Sequence, residues 1–196
     1  MTTIVAIQGR TWAVAGCDSR CVEESTRVYS VGRGSAKIVK NGDYLFGVAG
    51  DFRAINILSY VFTPPPTKGE TGINLDRFVT KNLIPAMRTC FESQGYATKG
   101  AESKEQAEQG STILVIVNGV VYEIGGDYSW VRDQSGVYAF GTGGQFALGA
   151  LIGGKYNFSS MTPQRAQKIV ENALKVSAKL DQNTSPPFHI FLQQNA

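Results

Sequence analysis

Histidine is almost missing: His189 is the only one in the 196-residue chain. A single imidazole cannot supply two ligands to a metal. It sits in the apolar run 188–192 near the end of the chain and reads as a strand residue rather than a catalytic base. Cysteine is nearly as scarce. Cys17, Cys21 and Cys90 form an odd, sparse set. That excludes a disulfide scaffold, suits a reducing compartment, and contains no CxxC or Cys/His spacing. No metal and no cofactor is therefore expected. Long hydrophobic runs are lacking, since nothing approaches the roughly 20 apolar residues of a membrane span. A charged n-region followed by an apolar h-region is lacking too. The expectation is a cytoplasmic protein with no membrane partner. Charge of one sign is also lacking. The net charge is +3, and no Lys/Arg run is dense enough to track phosphates, so no nucleic acid is expected.

What is present suits one globular core. The composition is 42% hydrophobic and 10% aromatic, which excludes disordered and collagenous chains. No repeat or linker divides the chain, so residues 1–196 read as a single domain. Its one polar stretch without aromatics, 97–110, is expected to be a mobile surface loop. Strands are expected at 3–8 and 11–17, linked at Gly9-Arg10, and on either side of two Asn-Gly turns, Asn41-Gly42 and Asn118-Gly119. Shorter strands are expected near 128–132, 137–140 and 188–192. Asp51 can cap a helix over 52–62 that stops at Pro64-Pro65-Pro66. A longer helix begins near Asn74, is kinked by Pro85 and ends at Gly95. Thr162-Pro163 starts another, with Ala166, Ile169, Val170, Ala173, Ser177 and Leu180 on one stripe. Strands, two helices, strands, two helices and a final strand favour an α+β layered domain over a doubly wound one.

Singly, the chemistry-bearing residues decide nothing. Thr2 suits a strand, Asp18 a turn, and Lys37 a solvated strand. Gly141-Thr142-Gly143-Gly144 suits a plain turn, for it lacks the lysine of a P-loop and no GxGxxG is present. Their order is more informative. Thr2-Thr3-Ile4-Val5-Ala6, Gly16-Cys17-Asp18-Ser19-Arg20, Lys37-Ile38, Gly47-Val48-Ala49-Gly50 and Gly141-Thr142-Gly143-Gly144 together resemble the motifs of proteasome β subunits and HslV. These are N-terminal-nucleophile (Ntn) threonine hydrolases, and the resemblance covers nearly the whole chain. It implies a four-layer αββα sandwich, two antiparallel sheets flanked by helices, with Thr2 at the start of an inner strand.

The chemistry gives an independent reason for these residue types. A threonine hydroxyl is a weak nucleophile and needs a base. An N-terminal residue brings its own, an α-amine with an unperturbed pKa of about 7.7–8.0. A neighbouring ammonium disfavours its protonation. By resemblance Lys37 supplies that ammonium and Asp18 holds it, while Thr142, Asp181 and Thr184 orient the amine and a bridging water. Gly50 precedes a helix start, where a backbone N–H can face a developing oxyanion.

The resemblance also implies a pocket beside the nucleophile shaped by Cys21, Ser35, Val39, Val48, Phe52 and Asn56. It implies unfolded polypeptide as substrate, a homo-oligomeric ring or stacked rings, and an AAA+ ATPase unfoldase as partner. Three departures stand out. Thr142 and Thr184 replace usual serines, Asp51 follows Gly50 where glycine is common, and Met1 alone precedes Thr2. The last implies that methionine removal is enough to free the amine. Two other readings compete: a non-catalytic structural subunit of the same fold, and an Ntn amidohydrolase for small amides.

Overall fold

A computed structural model describes residues 2–23, 27–96 and 110–194. β1 (Thr3–Gln8) and β2 (Trp12–Cys17) form the first hairpin. β3 (Arg20–Glu23) and β4 (Arg27–Ser30) pair as a separate ribbon that the sequence reading did not identify. β5 (Ile38–Asn41) and β6 (Tyr44–Ala49) follow. Their turn lies one residue beyond the expected Asn41-Gly42. Asn41 pairs with Tyr44, and of the two linking residues only Gly42 has positive φ, +59°. That is the signature of a II′ turn rather than I′. The Asn41 side chain is occupied elsewhere, donating to the carbonyls of Leu58 and Phe62 at 2.7 Å each.

α1 (Phe52–Tyr60) starts where expected, with the Asp51 carboxylate accepting from the Arg53 N–H at 2.8 Å. The long helix is one rod in three parts. α2 (Gly72–Phe78) and α3 (Ile84–Ser93) are joined by a π turn over Val79–Leu83. The wide turn comes just before Pro85, whose missing N–H and bulky ring would break a regular α-helical turn there. The rod ends in a Schellman motif. Tyr96 N–H reaches Phe91 C=O, Gly95 N–H reaches Glu92 C=O, and Gly95 sits at φ +62°.

β7 (Thr112–Val117) and β8 (Val120–Ile124) meet at Asn118-Gly119, where both residues have positive φ, +50° and +72°, as a I′ turn requires. The strand expected at 128–132 shrinks to β9 (Trp130–Val131), because Tyr128 stands at φ +65° and cannot be extended. β10 (Val137–Gly141), α4 (Gly144–Gly153), α5 (Pro163–Leu180) and β11 (His189–Gln194) complete the chain. Of the stretch expected to be a mobile loop, 97–109 lies outside the described residues.

The strands form two antiparallel sheets, ordered β10-β1-β2-β11 and β5-β6-β7-β8-β9. Alternation along β1 separates two of the cores. Ile4 and Ala6 face the second sheet, against Ile38, Leu45, Leu114 and Ile116. Val5 and Ile7 face the opposite way, against Ala147 and Leu151 of α4 and Val170 and Leu174 of α5. The outer face of the second sheet packs Phe46, Val115 and Tyr122 on Leu58, Leu83, Met87 and Phe91 of the other helices. Both sheets are thus apolar on both faces, and the result is a four-layer αββα sandwich. Among the described residues no helix is long and apolar enough to cross a membrane.

Candidate functional site

Thr2 lies at the N-terminal tip of β1, an inner strand of its sheet. Across from it Gly141 ends β10 opposite Thr3, at φ +86°. A Cβ on Gly141 would fall 1.8 Å from the Thr2 carbonyl oxygen, so only glycine allows the two backbones to lie this close.

Two hydrogen-bonded clusters flank this tip. In the first, Lys37 Nζ donates to Asp18 Oδ1 and to the Arg20 carbonyl, each at 2.6 Å. Lysine 37 is 1% exposed and Asp18 0%. Such burial is tolerable only for a pair with further hydrogen bonds. Asp18 has them: the N–H groups of Thr3 (2.9 Å), Arg20 (2.9 Å) and Ser185 (3.4 Å) all donate to its carboxylate. The strand end before Asp18 and the entry to β5 after Lys37 bring together two residues 19 apart.

The second cluster is built on Asp181, which terminates α5. Its Oδ2 accepts from the hydroxyls of Thr142 and Thr184, both at 2.7 Å, and its Oδ1 from the Asn183 N–H at 3.1 Å. Burial pushes the Asp181 pKa up, but the bonds from Thr184, Thr142 and Asn183 together outweigh it and hold the carboxyl below its ordinary value. Thr3 ties the clusters together. Its N–H reaches Asp18, and its hydroxyl lies 2.6 Å from that of Thr184. Gly143 completes the fit, since a Cβ there would come within 2.4 Å of Thr3 Oγ1 and 2.6 Å of Thr184 Oγ1.

A shallow recess beside the first cluster is lined by Thr2, Lys37, Val48, Gly50, Asp51, Phe52 and Ile55. Gly50 stands at φ +147°, directly before the N-cap of α1. Of the pocket residues named from the sequence, Val48 and Phe52 line this recess. Cys21, Ser35, Val39 and Asn56 do not. Cys21 is buried in β3, Val39 packs toward the helices over the second sheet, and Ser35 and Asn56 are exposed. Ile55, one helical turn beyond Asp51, lines the recess and was not anticipated. Cys17 is adjacent to Asp18 but inert. Burial, with the Asp18 charge adding and Lys37 opposing, pushes its thiol up to about 12. Larger hollows lie elsewhere, one by the Asn118 turn, one by Gly9 and Tyr156 and one between Glu123, Val137 and Leu148, and none is lined by a candidate site residue named from the sequence. Among the described residues no group of three His, Cys, Asp or Glu side chains could hold a metal ion.

This layered architecture, with an inner strand beginning at a threonine, defines a class: the fold is that of the proteasome-like Ntn hydrolases. Among solved structures it is similar to BPH of Thiobacillus denitrificans, a bacterial proteasome homologue, in complex with epoxomicin. That likeness has a TM-score of 0.73 at 14% identity over 100% of both chains. It is similar also to HslV from Trypanosoma brucei, with a TM-score of 0.64 at 18% identity over 98% of this chain and 99% of that one. A third is the Anbu (Gly-1) mutant from Hyphomicrobium sp. strain MC1, with a TM-score of 0.67 at 12% identity over 99% and 82%. No protein-family model and no curated protein matches the sequence.

Proposed function

We propose that the chain is a threonine-type endopeptidase whose nucleophile is Thr2, freed by removal of Met1. The observation that carries this reading is that Lys37, held by the buried Asp18, lines with Thr2 a recess bounded by Gly50. A buried ammonium beside a freed α-amine disfavours its protonation and leaves it ready to take the threonine proton. The amine then returns the proton to the leaving group. The Asp181 cluster, reaching the tip of β1 through Thr184 and Thr3, orients the amine. The backbone N–H of Gly50 receives the oxyanion. A positioned base contributes about 10²–10⁴ in rate, and an oxyanion donor about 10²–10³.

Likeness to HslV and to a bacterial proteasome homologue supports assembly into a homo-oligomeric ring or stacked rings. Such a chamber would admit unfolded polypeptide fed by an AAA+ ATPase, in the cytoplasm. The test compares peptide hydrolysis by the parent, Thr2→Ala and Thr2→Ser, each with its N-terminus confirmed by mass. Thr2→Ala abolishes turnover without disturbing assembly, and Thr2→Ser retains part of it, because oxygen and amine both survive. Equal turnover by parent and Thr2→Ala rules the nucleophile out.

A further inference from the structure

Gly50 and Asp51 form a short link between β6 and α1, and such a link needs something to fix the plane of its peptide. The structure supplies it from 60 residues away. Ser111, immediately before β7, is 5% exposed. Its Oγ accepts a hydrogen bond from the Asp51 N–H at 3.0 Å. The same Oγ lies 2.9 Å from the Tyr96 hydroxyl. Tyr96 is itself anchored: its N–H closes the Schellman motif of α3, and its ring packs edge-on against Phe91 with centroids 5.1 Å apart. Gly50 is pressed against this serine. A Cβ on Gly50 would fall 2.4 Å from Ser111 Oγ and 2.8 Å from its Cβ. The N–H of Asp51 is therefore turned toward Ser111 and engaged there. With that N–H pinned, the peptide joining Gly50 to Asp51 can no longer swing about its flanking bonds.

The Gly50 N–H belongs to the preceding peptide, which the pairing of Ala49 with Thr112 holds at the end of β6. We infer that Ser111, braced by Tyr96, is a positioning residue that fixes the far side of Gly50, so that strand and serine together set the Gly50 N–H toward the recess. This rests on the oxyanion role proposed for Gly50. Ser111 touches no substrate. It acts through the backbone, so its loss misplaces a donor without deleting it. The hydrogen bonds described for Ser111 and Tyr96 run to Asp51 and to each other, not to the Lys37–Asp18 pair or the Asp181 cluster, so the base is expected to be left as it was. The signature is a fall in kcat with an unmoved pH profile. Misplacement by about 1 Å can cost up to about 10² in rate, less than outright loss of an oxyanion donor.

The experiment uses the assembled protein and two readouts. Hydrogen exchange followed by mass spectrometry on peptides covering 49–53 requires no catalysis. Exchange there should be slow in the parent, faster in Ser111→Ala, intermediate in Tyr96→Phe, and slow again in Ser111→Thr, which keeps the oxygen. Peptide turnover by Ser111→Ala should show kcat lower by about 10- to 100-fold, KM within about twofold, and the same pH–rate midpoint as the parent. Ser111→Thr should recover most of the loss. Unchanged exchange in Ser111→Ala overturns the bracing. Faster exchange with kcat within twofold of an active parent overturns its role in catalysis, as does a shifted pH midpoint. A parent with a free Thr2 that hydrolyses nothing and forms no epoxyketone adduct overturns the proposed function and the oxyanion role together. The exchange arm still decides the bracing in that case.

Discussion

Replacing Lys37 by methionine isolates the energetics of the buried pair. Methionine fills most of the space of the lysine stem, so little cavity is left. The ammonium disappears, and the Asp18 carboxylate, 0% exposed, keeps among the described residues the backbone N–H groups of Thr3, Arg20 and Ser185. The Arg20 carbonyl loses a 2.6 Å donor as well. Breaking a buried ion pair by removing one partner costs about 3–5 kcal/mol. At about 2–4 °C per kcal/mol for a chain of this size, the midpoint of thermal unfolding should fall by about 6–20 °C. The assay is thermal unfolding of parent, Lys37→Met, Asp18→Asn and the double variant at one protein concentration, because assembly shifts apparent stability. The double variant should be less destabilised than the two singles summed, since it leaves no unpaired charge. A loss below about 1 kcal/mol in Lys37→Met, the value of an exposed pair, refutes the reasoning.

Gly141→Ala would place a Cβ 1.8 Å from the Thr2 carbonyl, at a φ of +86°. It should displace the tip of β1 and cut peptide turnover by at least about 10²; turnover within about threefold of the parent would contradict the placement of Thr2. Asp181 adds a pH dependence. Its folded pKa is depressed, so the stability it contributes is fully present above its ordinary value of 3.8 and is lost as pH falls through the folded pKa. Asp181→Asn should therefore be less stable than the parent at pH 7, with the gap closing below about pH 4 when unfolding is followed against pH.

Much of the fold was legible because its signals are local. The caps at Asp51 and Thr162, the Asn118-Gly119 turn and the glycine after α3 each act within a few residues of themselves, and each stands where expected. The Asn41-Gly42 turn was displaced because the side chain of Asn41 serves α1 instead. The β3–β4 ribbon has strands of only four residues whose apolar residues are adjacent, Cys21-Val22 and Val28-Tyr29, so no alternation marks it, and β9 was overestimated because nothing in its sequence signals the positive φ of Tyr128. At the site, Lys37, Asp18, Asp181 and the two threonines were named because the resemblance carried them. Elementary chemistry alone left each open. Thr3 was quoted only as part of a motif, and its link between the clusters emerges from the register of β1 with β10. Ser111 gave no signal at all, since it meets Asp51 across 60 residues of chain.

The central claim is that Thr2, once freed, carries both nucleophile and base. The most direct measurement is the mass of the purified protein before and after treatment with a peptide epoxyketone, with the adduct mapped to a residue. Such a warhead needs the hydroxyl and the free amine of the same residue. The expected result is a chain lacking Met1 that gains one inhibitor per subunit, located on Thr2, and a Thr2→Ala variant that gains none. A chain with Met1 removed that stays unmodified and inactive, or an adduct mapping to any other residue, would contradict it.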